Sequence, residues 1–158
     1  MAQVQALYIA AEKRGPVSRH PALKVEAGRG IVGDRRYRRN TPPAEQITLI
    51  ESEQVAAFNR EFGVRVEPGA LRRNVITEGV DLNALEGRLF QVGGILMRGI
   101  ELCEPCSVVG HLLAGPSLSP AQVVRGLTGR GGLRAEVLAS GVLREGDPIR
   151  AHEPEPSA

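Results

Sequence analysis

Arg88-Leu89-Phe90-Gln91-Val92-Gly93-Gly94-Ile95-Leu96-Met97-Arg98-Gly99-Ile100-Glu101-Leu102 is the stretch that decides the fold class. Two apolar runs flank Gly93-Gly94, and a two-residue glycine link supplies the positive φ angles that a tight hairpin turn needs. Arg88 to Val92 and Ile95 to Leu102 therefore read as a pair of strands. Towards the N-terminus, Val4 to Ala11 reads as a buried strand and Ala22 to Ala27 as a second, separated by a turn at Gly15-Pro16. Gln46 to Ile50 is a short strand running into a helix from Ser52 to Phe62. Val55, Phe58 and Phe62 share one face of that helix, and Gly63 ends it. Arg72 to Thr77 leads from a turn at Pro68-Gly69 into another strand, which Gly79 closes.

Beyond the hairpin, Ser119-Pro120 provides a cap and a first position for a second short helix carrying Val123, Val124 and Leu127. Arg134 to Ile149 reads as a strand, a turn around Glu145-Gly146-Asp147-Pro148 and a closing strand. Seven or so short strands with two short helices predict a mainly β domain, and closing the sheet into a β-barrel would remove its aggregation-prone edges. The 19 glycines and 11 prolines are spread along all 158 residues, as many short elements require. A hydrophobic content of 42% suffices for one core without disulfide staples. Residues 1–150 are expected to form that domain, and residues 151–158, Ala-His-Glu-Pro-Glu-Pro-Ser-Ala, a disordered polar tail.

Several partner classes are disfavoured. With three Phe, two Tyr and no Trp, stacking platforms for nucleic acid are not expected. The apolar run from Val4 to Ala11 is too short to cross a membrane and has no basic segment before it, so no membrane association or export signal is read. Two cysteines three positions apart cannot frame a disulfide-rich secreted domain, which favours a reducing, cytoplasmic location. Net charge is only +2, yet eighteen of the twenty basic residues are Arg, whose forked guanidinium suits phosphate and carboxylate.

Two segments carry candidate chemistry. Gly28 to Arg39 combines three glycines with five arginines, so backbone can approach a ligand closely while cations surround it. An arginine cluster is also what an ordinary solvated surface looks like. Cys103-Glu104-Pro105-Cys106 follows the hairpin, where a rigid strand ends and the thiols begin. Zinc would need four ligands, and histidines at positions 20, 111 and 152 supply no second pair of recognisable spacing. A thioredoxin-like dithiol would follow an early strand and open a substantial helix, whereas Ser107 to Gly115 contains two glycines in nine residues. Two small side chains packed at a strand end is the remaining reading.

Taken in order, Gly30-x-x-Gly33-Asp34-Arg35, Gln46-Ile47-Thr48-Leu49-Ile50 with its Glu-containing helix, Arg72-Arg73-Asn74-Val75-Ile76-Thr77-x-Gly79, Leu85-x-Gly87 and Cys103-Glu104-Pro105-Cys106 resemble the MOSC domain, named for the C-terminal domain of molybdenum cofactor sulfurases. The resemblance spans about residues 4 to 150. It implies a MOSC-like β-barrel with a few short helices that binds a molybdenum-pterin cofactor or handles sulfur destined for it. In family members that reduce N-hydroxylated compounds, the cysteine matching Cys106 ligates the metal, and a soft thiolate suits that role. The segment matching Arg72 and Asn74 helps hold the pterin, with Arg35 in the same region. Arg72 and Arg35 would clamp the cofactor phosphate, Arg72 as an exposed guanidinium at a turn-to-strand junction. Asn74 would offer a donor and an acceptor to the pterin edge.

The chain lacks the long N-terminal β-rich portion and the electron-transfer domain of the larger reductases, so a reductase would take electrons from a partner protein. Short members have also been read as sulfur carriers, in which Cys106 would accept sulfane sulfur from a pyridoxal-phosphate-dependent cysteine desulfurase. Pyridoxal phosphate would then belong to the partner, because Lys13 and Lys24 are the only lysines and neither lies in a recognisable cofactor motif. A noncatalytic Arg-rich module for phosphorylated ligands is the reading from a different class.

Overall fold

The computed structural model describes residues 1–105 and 107–152. The chain begins with β1 (Gln3–Ala10), β2 (Val17–Arg19), β3 (Ala22–Glu26) and β4 (Gly30–Ile31). Next come β5 (Ile47–Glu51), α1 (Ser52–Phe62), β6 (Val75–Glu78) and the hairpin of β7 (Leu89–Val92) and β8 (Ile95–Leu102). It continues through α2 (Ser107–Leu113), α3 (Pro120–Leu127), β9 (Leu133–Val137), β10 (Gly141–Arg144) and β11 (Ile149–Ala151). Among the described residues the fold is mainly β with three short α-helices. Eight strands form one sheet in the order β11-β7-β8-β9-β5-β6-β1-β2, and β10-β3-β4 form a second.

Within the larger sheet β5 and β6 are parallel, and α1 makes the crossover between them. The helix starts directly from β5 and stops at Gly63, whose φ of 64° places it in the left-handed region that ends a helix. Asn59 then shapes the return: its Nδ2 donates to the Val66 carbonyl at 3.0 Å and its Oδ1 accepts from the Val66 amide at 2.9 Å. Consecutive residues of the central strands face opposite cores. Leu7, Leu49 and Val75 join the cluster around Phe90, Met97 and Leu133. Ala6, Ile50 and Ile76 join the cluster with Val55 and Phe58 of α1 and Val123 and Leu127 of α3. Burial on both faces is why β5 shows no apolar-polar alternation, and its one interior polar residue, Thr48, is paired with Asn74.

The barrel expected from the sequence is not formed, because neither sheet closes on itself. The two ends of the larger sheet do approach each other. Gln3 and Pro148 form an isolated antiparallel bridge. Around it, Val4 N donates to Asp147 O at 2.9 Å, Gly146 N to Val4 O at 2.8 Å and Ile149 N to Ala2 O at 3.0 Å. None of these bonds uses the Pro148 nitrogen, so a residue without an amide hydrogen is tolerated at the bridged position. The C-terminal region also differs from the strand-turn-strand expectation. β9 and β11 belong to the larger sheet, while β10 pairs with β3 in the smaller one. β11 ends at Ala151, and the polar tail lies from residue 153 outside the described residues.

Helix α2 was not anticipated, because Gly110 reads as a breaker. In the structure that glycine lets α2 lie against α3: a Cβ there would stand 2.9 Å from the Pro120 carbonyl oxygen and 3.2 Å from Val124 Cγ2. The start of α3 is as expected. Ser119 Oγ accepts from the Gln122 amide at 3.2 Å, and Gln122 Oε1 accepts from the Ser119 amide at 2.8 Å, a complete capping box. Among the described residues no helix is long and apolar enough to cross a membrane.

Candidate functional site

The site is built at the end of β8. Leu102 pairs with Leu133 at the start of β9, and the Cys103 amide donates to the Gly132 carbonyl at 2.8 Å. Two glycines make this close approach feasible. A Cβ on Gly131 would collide with the Cys103 carbonyl oxygen, and one on Gly132, whose φ is 104°, with the Leu49 carbonyl oxygen. The segment leading to the second thiol therefore leaves the sheet from a fixed point. Cys103 itself is buried, Glu104 is exposed and Pro105 is half-buried. Cys106 lies outside the described residues.

Three arginines converge on this point from separate parts of the chain. Arg134 of β9 sits in register between Thr48 of β5 and Glu101 of β8. Its Nη1 donates to the Ala44 carbonyl at 3.4 Å, and its Nε lies 3.7 Å from Glu101 Oε1. Arg73, just before β6, donates through Nε to the Gly131 carbonyl at 2.9 Å. Arg36, half-buried, comes from the loop after β4. Asp34 fixes that loop: its Oδ1 accepts from the Ala10 amide at 3.1 Å and its Oδ2 from the Arg36 amide at 3.2 Å. The Arg35 amide donates back to the Ala10 carbonyl at 2.8 Å. The Gly-Asp-Arg motif is thus a staple between the arginine loop and the end of β1.

The electrostatics follow from this packing. Burial pushes the Cys103 thiol pKa up, while the charges of Arg73, Arg134 and Arg36 pull it down and Glu101 adds to the rise. Burial also lowers the Arg36 pKa, helped by repulsion from Arg35 and Arg134 and opposed by Glu45 and Asp34. Cations gathered in this way, with Arg73 and Arg134 held by main-chain carbonyls, favour the arrival of an anion.

The residues anticipated from the sequence fall in different places. Arg35 is half-buried beside Arg36. Arg72 is half-buried, not exposed, and adopts the left-handed conformation at φ 61°. Its Nη1 donates to the Gly15 carbonyl at 2.5 Å, and its Nη2 reaches the Lys13 and Glu12 carbonyls at 3.2 and 3.4 Å. It holds the β1–β2 loop. Asn74 is buried between strands: its Oδ1 accepts from the Thr48 amide at 3.0 Å and the Thr48 hydroxyl at 3.1 Å, and its Nδ2 donates to the Tyr8 carbonyl at 3.1 Å. It ties β5 and β6 to β1.

Arg36, Arg73 and Arg134 were not singled out from the sequence, although the first two adjoin Arg35 and Arg72. Nothing local marks Arg134, which reaches the site through strand register alone. Among the described residues no group of three or more His, Cys, Asp or Glu side chains is placed to hold a metal ion. A metal arriving on an anionic organic cofactor would need less of the protein, namely cations for the cofactor and one soft ligand for the metal. The arginine cluster fits the first requirement.

A family model described as MOSC domain matches residues 36–150. Among solved structures, the chain is similar to the YuaD protein from Bacillus subtilis, with 25% identity and a TM-score of 0.83 over 98% of this chain and 97% of that one. YiiM from Geobacillus stearothermophilus shares 16% identity at a TM-score of 0.75, over 97% of this chain and 76% of that one. YiiM from Escherichia coli shares 17% at 0.68, over 98% and 71%. No curated protein matches the sequence. A family match that takes in β5 to β9, the arginines of the cluster and the Cys103–Cys106 segment makes this chain a member of the MOSC domain family.

Proposed function

We propose that this protein binds a molybdenum-pterin cofactor at the end of β8, with Cys106 as the metal's thiolate ligand. The observation that carries this reading is the convergence of Arg36, Arg73 and Arg134 on the strand end that leads into Cys103-Glu104-Pro105-Cys106. Their guanidinium groups would seat the cofactor's phosphate, with Arg35 beside them adding positive charge. Arg72 and Asn74, the other residues that the family resemblance offers to the cofactor, spend their polar groups on this chain's own atoms and would support the surrounding fold. When bound, the cofactor would supply two-electron redox chemistry. The family's barrel would correspond here to the sheet whose ends meet at the Gln3–Pro148 bridge.

On this reading the protein is a reductase of N-hydroxylated compounds that draws electrons from a partner protein. The competing reading is a sulfur carrier loaded at Cys106 by a pyridoxal-phosphate-dependent cysteine desulfurase. It gains from the same cations, since nearby positive charge favours a thiolate. Metal analysis of protein purified from a cofactor-producing host separates the two. Molybdenum should copurify with the wild type, be lost in Cys106→Ala and largely persist in Cys103→Ser. Equal loss from both variants would point to a shared two-thiol site. Cofactor-loaded protein should also resist alkylation at Cys106 while cofactor-free protein is labelled readily. Equal labelling of the two forms would favour the carrier.

A further inference from the structure

The arginine cluster contains its own anion. Glu101 is the penultimate residue of β8 and lies opposite Arg134, with its carboxylate 3.7 Å from the guanidinium Nε and its side chain 59% exposed. Arg134 is only 27% exposed and is held from its other side by the Ala44 carbonyl. The carboxylate can therefore swing away into solvent while the guanidinium stays. Glu101 occurs where the register of β8 slips between Gly99 and Glu101, and that irregularity sets Glu101, not Ile100, opposite Arg134.

We propose that Glu101 is a built-in competitor that sets the anion affinity of this site. In the empty protein it pairs with Arg134, and an incoming oxyanion displaces it. A ligand that reaches Arg134 alone exchanges one carboxylate-like contact for another and gains little. One that carries further charge also feels Arg36 and Arg73, whose charges act at the same strand end, and gains an attraction that the single carboxylate of Glu101 does not have. The class selected is a multidentate oxyanion such as a phosphate monoester, and simple carboxylates are rejected. This inference rests on the anion seat proposed above, but it concerns how that seat is tuned and needs neither molybdenum nor turnover.

The test uses inorganic phosphate and cofactor-free full-length protein, with binding followed by calorimetry. E101Q keeps the size of the side chain and removes its charge, so it should bind phosphate about three- to tenfold more tightly at low salt, with the advantage shrinking as salt screens the pair. In an R134Q background the same change should give no gain, because the competitor has lost its partner. An equal gain in that background would replace direct competition by general charge repulsion and overturn the proposal. So would equal affinity of wild type and E101Q. Absence of phosphate binding in both proteins would remove the anion seat together with its competitor. Molybdenum that copurifies while E101Q leaves phosphate affinity unchanged would sink this inference and spare the cofactor reading. Thermal melting of each variant checks that the fold is intact.

Discussion

Arg72 and Arg73 are neighbours in sequence and belong to different regions of the molecule. Arg72 turns towards the β1–β2 loop, where the carbonyls of Glu12, Lys13 and Gly15 accept from its fork. Arg73 turns towards the end of β8, where its charge acts on Cys103 together with those of Arg134 and Arg36. The left-handed backbone at Arg72 accounts for the divergence, because it rotates the chain between the two side chains. The first arginine serves as a cross-brace for a loop. The second serves as part of an electrostatic surface whose members repel one another. Two identical residues in the same motif thus separate into stability and binding by the carbonyls or cations each one meets.

If that division is correct, its largest signature is in ligand retention. The double variant Arg36→Gln/Arg73→Gln should lose cofactor or phosphate affinity by at least about tenfold, since each charge-assisted contact is worth roughly 1.5–3 kcal/mol. Its melting temperature should stay close to the wild type's, and a collapse in stability would show these arginines to be structural. The converse variant sharpens the comparison. Arg72→Ala should cost about 1–3 kcal/mol in urea unfolding, from lost hydrogen bonds to a half-buried loop. Arg72→Gly should be less damaging than Arg72→Ala by up to about 1 kcal/mol, because glycine accepts the left-handed conformation. Finding Ala and Gly equivalent would remove backbone strain from the account.

Arg36→Gln alone should be neutral or stabilising by a few tenths of a kcal/mol while weakening anion binding, because it removes a half-buried cation that its neighbours repel. The smallest effect concerns pH. The Cys103 pKa is raised on folding, so the folded state holds the thiol proton more tightly. That stabilisation is present in full below the ordinary thiol value of about 8.5 and is lost as pH rises through the folded value above it. Unfolding measured between pH 7 and 10 should show an alkaline decline that Cys103→Ala flattens. A decline unchanged by the substitution would place its origin elsewhere.

What the sequence determined by itself is whatever depends on nearby residues. The Gly93-Gly94 hairpin, the helix from Ser52 to Phe62 with its Gly63 stop and the capping box at Ser119 lie where local turn chemistry and apolar periodicity put them. The ordered motifs from Gly30 to Cys106 were enough to identify the family. Tertiary structure decided the rest. Gly110 sits within a helix at the point where α3 comes close enough to need a residue without a side chain. The approach of β1 to the segment before β11, through the single bridged pair Gln3 and Pro148, joins positions 145 residues apart in the chain. Which arginines act on the strand end depended on strand register: Arg134 joins Arg73 and Arg36 in acting on Cys103 because β9 lies between β5 and β8, and Arg72 is turned away by the backbone angle that separates it from Arg73. Register and side-chain direction are products of long-range packing, so no window of sequence contains them.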